Sequence, residues 1–186
     1  MRKSEGKSEA HAGEDTKSVR ETFAELYEQY LPRVFRYISY RVDDVHLAED
    51  LTSDVFVKAL TGFGSYHSDK ASFSTWLLSI ARHMVIDHYR ASSRGQAIPL
   101  EEATEILSES ISPEEEAIKK EEFQRLRVCL AGLPQQEQEI ISLKFGAELT
   151  NRQTAEMLSL SESNVGTILY RAIRKLRDSF RGWENG

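Results

Sequence analysis

The sequence predicts an all-α protein made of two small helical domains joined by a flexible acidic linker. Three observations carry that expectation. Apolar residues recur at three- and four-residue steps, with no sustained period-two alternation. Helix-starting and helix-ending residues punctuate the chain clearly. Charge also separates along it: between Gly95 and Glu122 nine acids stand against Lys119 and Lys120, a net of −7. The remainder sums to +1, although the 186-residue chain totals −6. Lys70–Arg94 and Glu162–Arg181 each carry +3. Two basic segments flanking an acidic connector point to a nucleic-acid partner that the total charge hides.

Taken in order, residues 1–17 are polar and mixed in charge and are expected to form a disordered tail. Phe23, Leu26, Tyr27, Tyr30, Val34, Phe35 and Ile38 form one apolar helical stripe. Pro32 falls inside it and predicts a kink or a break into two helices. Asp43 or Asp44 can cap a second helix to about Leu60, ended by Gly62 and Gly64. After a polar loop, Ser65–Ser72, a third helix runs from about Phe73 to Arg90, with Trp76, Leu77, Ile80, Ala81, Met84 and Val85 as its apolar set. These pieces form a first domain over residues 18–94, and residues 95–112 read as linker.

The second domain spans 113–182. Ser112-Pro113-Glu114-Glu115 gives an N-cap, a proline at the first helical position and a glutamate in the capping-box place. That helix should stop at Gly132. Pro134 opens the next, which closes at Gly146 with Ile140, Ile141 and Phe145 inside. Thr150-Asn151-Arg152-Gln153 is a further capping box, starting a short helix to Leu158. Ser161 caps the last helix, which runs to about Phe180.

Several function classes lose ground on composition. A single cysteine, Cys129, excludes an internal disulfide and argues against a thiolate metal site, so a reducing cytoplasm is the default compartment. No apolar run approaches the ~18 residues of a membrane span, and Met1–Ser18 lacks the apolar core of a signal peptide. His67, His83 and His88 have no cysteine or carboxylate at ligand spacing, so neither metal nor cofactor is expected. No nucleophile–base pair or phosphate-cradling glycine loop suggests an enzyme.

The last two helices have helix-turn-helix dimensions. Val165, Ile168, Leu169, Ala172 and Leu176 make the buried stripe of the final helix. Ser163, Gly166, Thr167, Tyr170, Arg171 and Arg174 fall opposite, with small residues for close approach, hydroxyls, and arginines for guanine edges or phosphates. Spacing alone also suits an ordinary solvated amphipathic helix.

Leu133-Pro134, Ile140-Ile141-Ser142-Leu143-Lys144-Phe145, Ala155-Glu156-Met157-Leu158, Ser161-Glu162-Ser163-Asn164-Val165 and Arg171-Ala172 together resemble region 4 of bacterial sigma factors. Gly166 and Thr167 stand where lysine and serine are frequent, and Asn164 where threonine is common. In the first domain, Ala48-Glu49-Asp50-Leu51-Thr52-Ser53-Asp54-Val55-Phe56 is similar to the sigma region 2 helix that docks on the clamp helices of the polymerase β′ subunit. Phe73-Ser74-Thr75-Trp76-Leu77, Ile80-Ala81-Arg82, Asp87 and Arg90 are similar to the segment that opens and reads the −10 element. His83 stands where the family often has asparagine. Both blocks occur in the family's order. The short chain, without room for regions 1.1 and 3, resembles the extracytoplasmic-function (ECF) class.

The resemblance implies a non-enzymatic subunit that binds core RNA polymerase, through the β′ clamp helices and the β flap, and directs it to promoters. Glu49, Asp50, Ser53 and Asp54 would meet the clamp. His67, Ser72, Ser74, Trp76, Arg82, His83 and Arg90 would meet the −10 element, although Trp76 suits a core position better than a base platform. Arg152, Ser161, Ser163, Asn164, Gly166, Thr167, Tyr170, Arg171 and Arg174 would meet the −35 element. The acidic linker would thread the polymerase's positively charged RNA channel, and an anti-sigma factor is the expected regulator. Two other readings stay open: a response-regulator-type transcription factor, which needs a receiver domain whose strands are not seen, and a helical adaptor that binds only protein.

Overall fold

The structure, a computed structural model, describes the backbone of residues 6–93 and 113–184 and the side chains of residues 22–92 and 121–182. The linker expectation for 95–112 lies outside them. Every regular element among the described residues is helical: α1 (Gly6–Ser39), α2 (Val45–Gly62), α3 (Phe73–Ser93), α4 (Pro113–Ala131), α5 (Gln135–Ile141), α6 (Asn151–Leu158) and α7 (Glu162–Glu184), with short non-α turns after α2 and α5.

The segment expected as a disordered tail is helical from Gly6 onward. Its alanines, glutamates and lysines are good helix formers, and continuity with a helix downstream spares it a separate nucleation cost. Of the kink or break expected at Pro32, the break is absent, since α1 runs through that proline. Proline removes one intrahelical hydrogen bond. Beyond it Val34, Tyr37 and Ile38 are fully or almost fully buried, and that burial holds the last turns in register. The chain nevertheless divides there into two compact units, one ending at Pro32 and the other beginning at Arg33.

The second unit holds two helical clusters. In the first, the end of α1 precedes α2 and α3, and α2 packs directly on α3. Asp44 caps α2, its side chain accepting from the Leu47 amide at 3.0 Å. Ala48, Leu51, Val55, Phe56 and Ala59 line the buried side of α2; Leu77, Leu78, Ala81 and Val85 line that of α3. The end of α2 needs no left-handed glycine, because Gly62 stays right-handed and leads into the turn Phe63–Ser65.

In the second cluster α7 packs on α4, α5 and α6. One core joins Leu130, Leu133, Ile141 and Ala172; a second joins Ile140, Ala155, Val165 and Ile168. Lys175 of α7 also donates to the Glu137 carboxylate of α5 at 2.8 Å. Phe145, expected inside, is 48% exposed. The reason is local: α5 stops at Ile141 and continues as a wider π-helical turn, Ser142–Gly146, which shifts the face Phe145 presents.

Candidate nucleic-acid interface

Local chemistry fixes the helix-turn-helix. Thr150 Oγ1 accepts from the Gln153 amide at 3.2 Å, and Gln153 Oε1 accepts from the Thr150 amide at 2.9 Å. This reciprocal capping box starts α6. Ser159 ends it in the left-handed region with φ 55°. Two residues later Ser161 Oγ accepts from the Asn164 amide at 3.2 Å and starts α7. The three-residue turn therefore has a defined entry and exit.

Val165, Ile168 and Ala172 are buried and Leu169 and Leu176 partly so, which fixes the rotation of α7 about its axis. Ser163, Asn164, Thr167, Tyr170, Arg171 and Arg174 are all exposed, Tyr170 at 69%, and Gly166 is half-buried. Thr167 donates to the Ser163 carbonyl at 3.0 Å, which holds its methyl and hydroxyl along the helix. Arg152 lies on α6 and pairs with Glu156 at 3.1 Å. An exposed strip of hydroxyls and guanidinium groups on a rigid helix suits a major groove lined by phosphates.

In the first cluster the predicted acidic surface of α2 is mixed. Ser53 and Asp54 are exposed, Asp50 is half-buried, and Glu49 lies 3.5 Å from His46. Sequence reasoning missed Val57 and Leu60, which are 58% and 48% exposed on the helix face that carries Ser53 and Asp54. The signal was available, since neither belongs to the buried set Leu51, Val55, Phe56 and Ala59. Apolar residues left outside a helix's buried stripe suggest a partner.

The loop before α3 closes through aromatic contacts. Tyr66, Phe73 and Trp76 form a triangle with ring centroids 5.1–5.6 Å apart, and Phe63 adjoins Tyr66 and Phe73 at 6.2 Å. Trp76 is half-buried within that cluster, with one side against Gly62. His67 is exposed on the loop. Ser72 caps α3, accepting from the Thr75 amide at 3.3 Å, and Ser74 follows on the first turn, half-buried. His83 is exposed, its Nδ1 2.6 Å from the Ser79 carbonyl oxygen. Arg90, also exposed, lies 3.6 Å from Asp87.

Arg82 stands apart from these. It is half-buried, and its guanidinium lies 3.5 Å from Glu139 of α5, in the other cluster. Glu139 also accepts from Tyr37 Oη at 2.8 Å and pairs with the fully buried Arg41 at 3.2 Å. Burial first, and the Glu139 charge second, push the Tyr37 hydroxyl well above the ordinary tyrosine range. Arg41, Tyr37 and Glu139 were not anticipated, because a lone charged residue between apolar stripes reads as surface. Among the described residues no group of histidine, cysteine and carboxylate side chains could hold a metal ion. No described helix is long and apolar enough to cross a membrane.

The arrangement of a capped helical cluster with an aromatic loop, followed by a helix-turn-helix cluster, is matched by known families. Residues 26–95 match Sigma-70 region 2 and residues 129–178 match Sigma-70 region 4. The chain belongs to the family of ECF RNA polymerase sigma factors. It is similar to the ECF RNA polymerase sigma factor BldN of Streptomyces coelicolor, at 34% identity over 90% of this chain, and spans 61% of that relative's length. It is also similar to the RNA polymerase sigma factor YlaC of Bacillus subtilis, at 32% identity over 85% of this chain and 91% of the relative. Among solved structures, the sigma factor RpoE of Bartonella quintana, in complex with the anti-sigma factor NepR, shares the fold. Its TM-score is 0.66 at 17% identity, covering 87% of this chain and 98% of that one. Sigma factors are not enzymes, and membership places this chain among non-catalytic proteins.

Proposed function

We propose that this chain binds core RNA polymerase and directs promoter-specific initiation, with α2 on the β′ clamp helices, the loop and α3 on the −10 element, and α7 on the −35 element. The observation that carries the reading is the rotation of α7. Its buried stripe leaves Ser163, Asn164, Thr167, Tyr170, Arg171 and Arg174 on the exposed side, with both family regions present in order. Helix N-termini usually enter the groove deepest, so Ser163, Asn164 and Thr167 lie nearer the bases and Arg171 nearer phosphate. Arg152 and Ser161 contribute at the backbone.

On the clamp, Glu49, Asp50 and Asp54 supply charge complementarity that steers docking, while Val57 and Leu60 supply apolar area that leaves water on contact. His67, Ser72, Ser74, Trp76, His83 and Arg90 line the −10 side, where an unstacked base would find aromatic and polar partners. The β flap is the expected contact of the second cluster, and the acidic linker the expected occupant of the RNA channel. An anti-sigma factor is the expected regulator and the cytoplasm the expected compartment.

The test is affinity for core polymerase after reversing Asp50 and Asp54 to lysine. Asp54 is exposed and Asp50 half-buried on α2, so helical content should stay unchanged while binding weakens at least tenfold, or about 1.4 kcal/mol. Unchanged affinity in a folded double variant removes the assignment of this face.

A further inference from the structure

Gly166 is a glycine that the fold does not require. It stands in the second turn of α7, far from the helix end at Glu184. Its φ lies outside the left-handed region, and a Cβ built there meets nothing within 4 Å. Gly62, by contrast, faces Trp76 at 3.7 Å, and Gly132 faces the Cys129 carbonyl at 3.5 Å. Gly182, equally unhindered, sits in the last turn of α7, where helix ends fray. Inside a helix, glycine is the poorest former after proline. It has the most conformational freedom to lose and no side chain to pack. At Gly166 no contact within the chain offsets that cost.

Ser163, Gly166, Thr167 and Tyr170 follow the spacing i, i+3, i+4, i+7, which marks the four corners of one hole on a helix surface. All but Gly166 are exposed, Tyr170 at 69%. The Thr167 hydroxyl donates to the Ser163 carbonyl at 3.0 Å, so its proton is already engaged and its methyl is the group left for a partner. Long side chains on a helix lean over the preceding turn, which sets the Tyr170 ring as the wall of the hole on its C-terminal side. The missing side chain at Gly166 makes the hole deep. The methyl and the ring make it apolar within a strip that is otherwise polar.

We propose that Gly166 is where α7 comes closest to DNA, and that the hole it opens seats the 5-methyl group of one thymine in the major groove. That methyl is the apolar group a base pair presents there. The proposal names a base for the reading of α7 given above and rests on that reading. Gly166→Ala should then have two opposite effects: a more stable helix and a filled hole. A glycine kept for the fold would instead lose stability on substitution.

The test uses the full chain, wild type and Gly166→Ala, free and assembled with core RNA polymerase. Urea denaturation of the free chains should give Gly166→Ala the higher midpoint, with a folding equilibrium about fivefold more favourable. Duplexes that the wild-type assembly enriches from a random-sequence library supply the probe. Each thymine of the upstream element is then replaced in turn by uracil, which removes the methyl group alone. On the all-thymine duplex Gly166→Ala should bind about tenfold or more weakly than wild type, as overfilled contacts do. At one position uracil should weaken the wild type about fourfold, the loss of one buried methyl, and strengthen Gly166→Ala until the two converge.

A lower urea midpoint for Gly166→Ala overturns the proposal, because the glycine then serves the fold. Equal affinity on the all-thymine duplex, an enriched upstream element without thymine, or no uracil position that restores the variant also overturns it, and leaves α7 as the reader. If the wild-type assembly enriches no upstream element, the reading of α7 falls and the seated methyl falls with it.

Discussion

Ile168 and Arg171 sit less than one turn apart on α7, one on the buried stripe and one on the exposed strip, and their substitutions should separate stability from recognition. Ile168 is 3% exposed and packs with Ile140, Ala155 and Val165. Ile168→Ala deletes three buried carbon groups, about 2 kcal/mol at ~0.8 kcal/mol each. The cavity left beneath a helix pinned by its neighbours raises the loss to about 3–4 kcal/mol. Against a typical total of ~5–15 kcal/mol that is a large fraction, and urea denaturation followed by far-ultraviolet circular dichroism should show a much lower midpoint. Arg171→Ala should move stability by no more than about 0.5 kcal/mol, since the side chain is exposed. Its effect should appear in binding of the full chain to a short duplex of mixed sequence across salt concentrations. Loss of one phosphate contact weakens every duplex alike and lowers the logarithmic salt slope by about one. If Ile168→Ala melts like wild type, the packing that fixes the rotation of α7 is misdescribed. If Arg171→Ala binds every duplex with unaltered slope, the exposed strip is not the DNA-reading face.

Other outcomes follow from the caps and the edge ion pairs. Thr150→Ala and Asp44→Ala each remove a side-chain acceptor from a helix start and should cost about 1 kcal/mol in denaturant titration, with Thr150→Ser nearly neutral. The Glu148 carboxyl is held below the ordinary glutamate range, first by the hydrogen bond from Arg36 and then by the charges of Arg36 and Arg33. A depressed carboxylate stabilises the contact above its unfolded value of about 4.3 and loses that contribution as pH falls through the lower folded value. The difference in urea midpoint between wild type and Glu148→Gln should therefore be present near neutrality and vanish in that acid range. A difference that persists unchanged at lower pH means that Glu148 is not the group responsible.

Much of this architecture was legible because helices announce their ends locally. Thr150 and Ser161 cap the helices they were expected to cap, Asp44 is the one of the two candidates Asp43 and Asp44 that caps α2, and the stripe Val165, Ile168 and Ala172 is buried as its spacing requires. The errors arose where a local rule met longer-range packing. Pro32 signals a kink or a break, and burial of Val34, Tyr37 and Ile38 beyond it keeps α1 continuous rather than broken. Phe145 reads as core until the π-helical turn after Ile141 shifts its face outward. At the candidate site, the residue types and the exposed side of α7 were readable. The inward turn of Arg82 was not, since Glu139 lies 57 positions away and no periodicity links the two. Val57 and Leu60 could have been found by asking which apolar residues the buried stripe of α2 leaves out.

The most direct measurement is transcription reconstituted with purified core RNA polymerase, fragmented bacterial genomic DNA and the full chain, with start sites mapped by sequencing. The account predicts starts that appear only when the chain is added, with two short elements at fixed spacing upstream, and their loss in the Asp50→Lys, Asp54→Lys double variant. A core that responds to another sigma factor but yields no start dependent on this chain would contradict it.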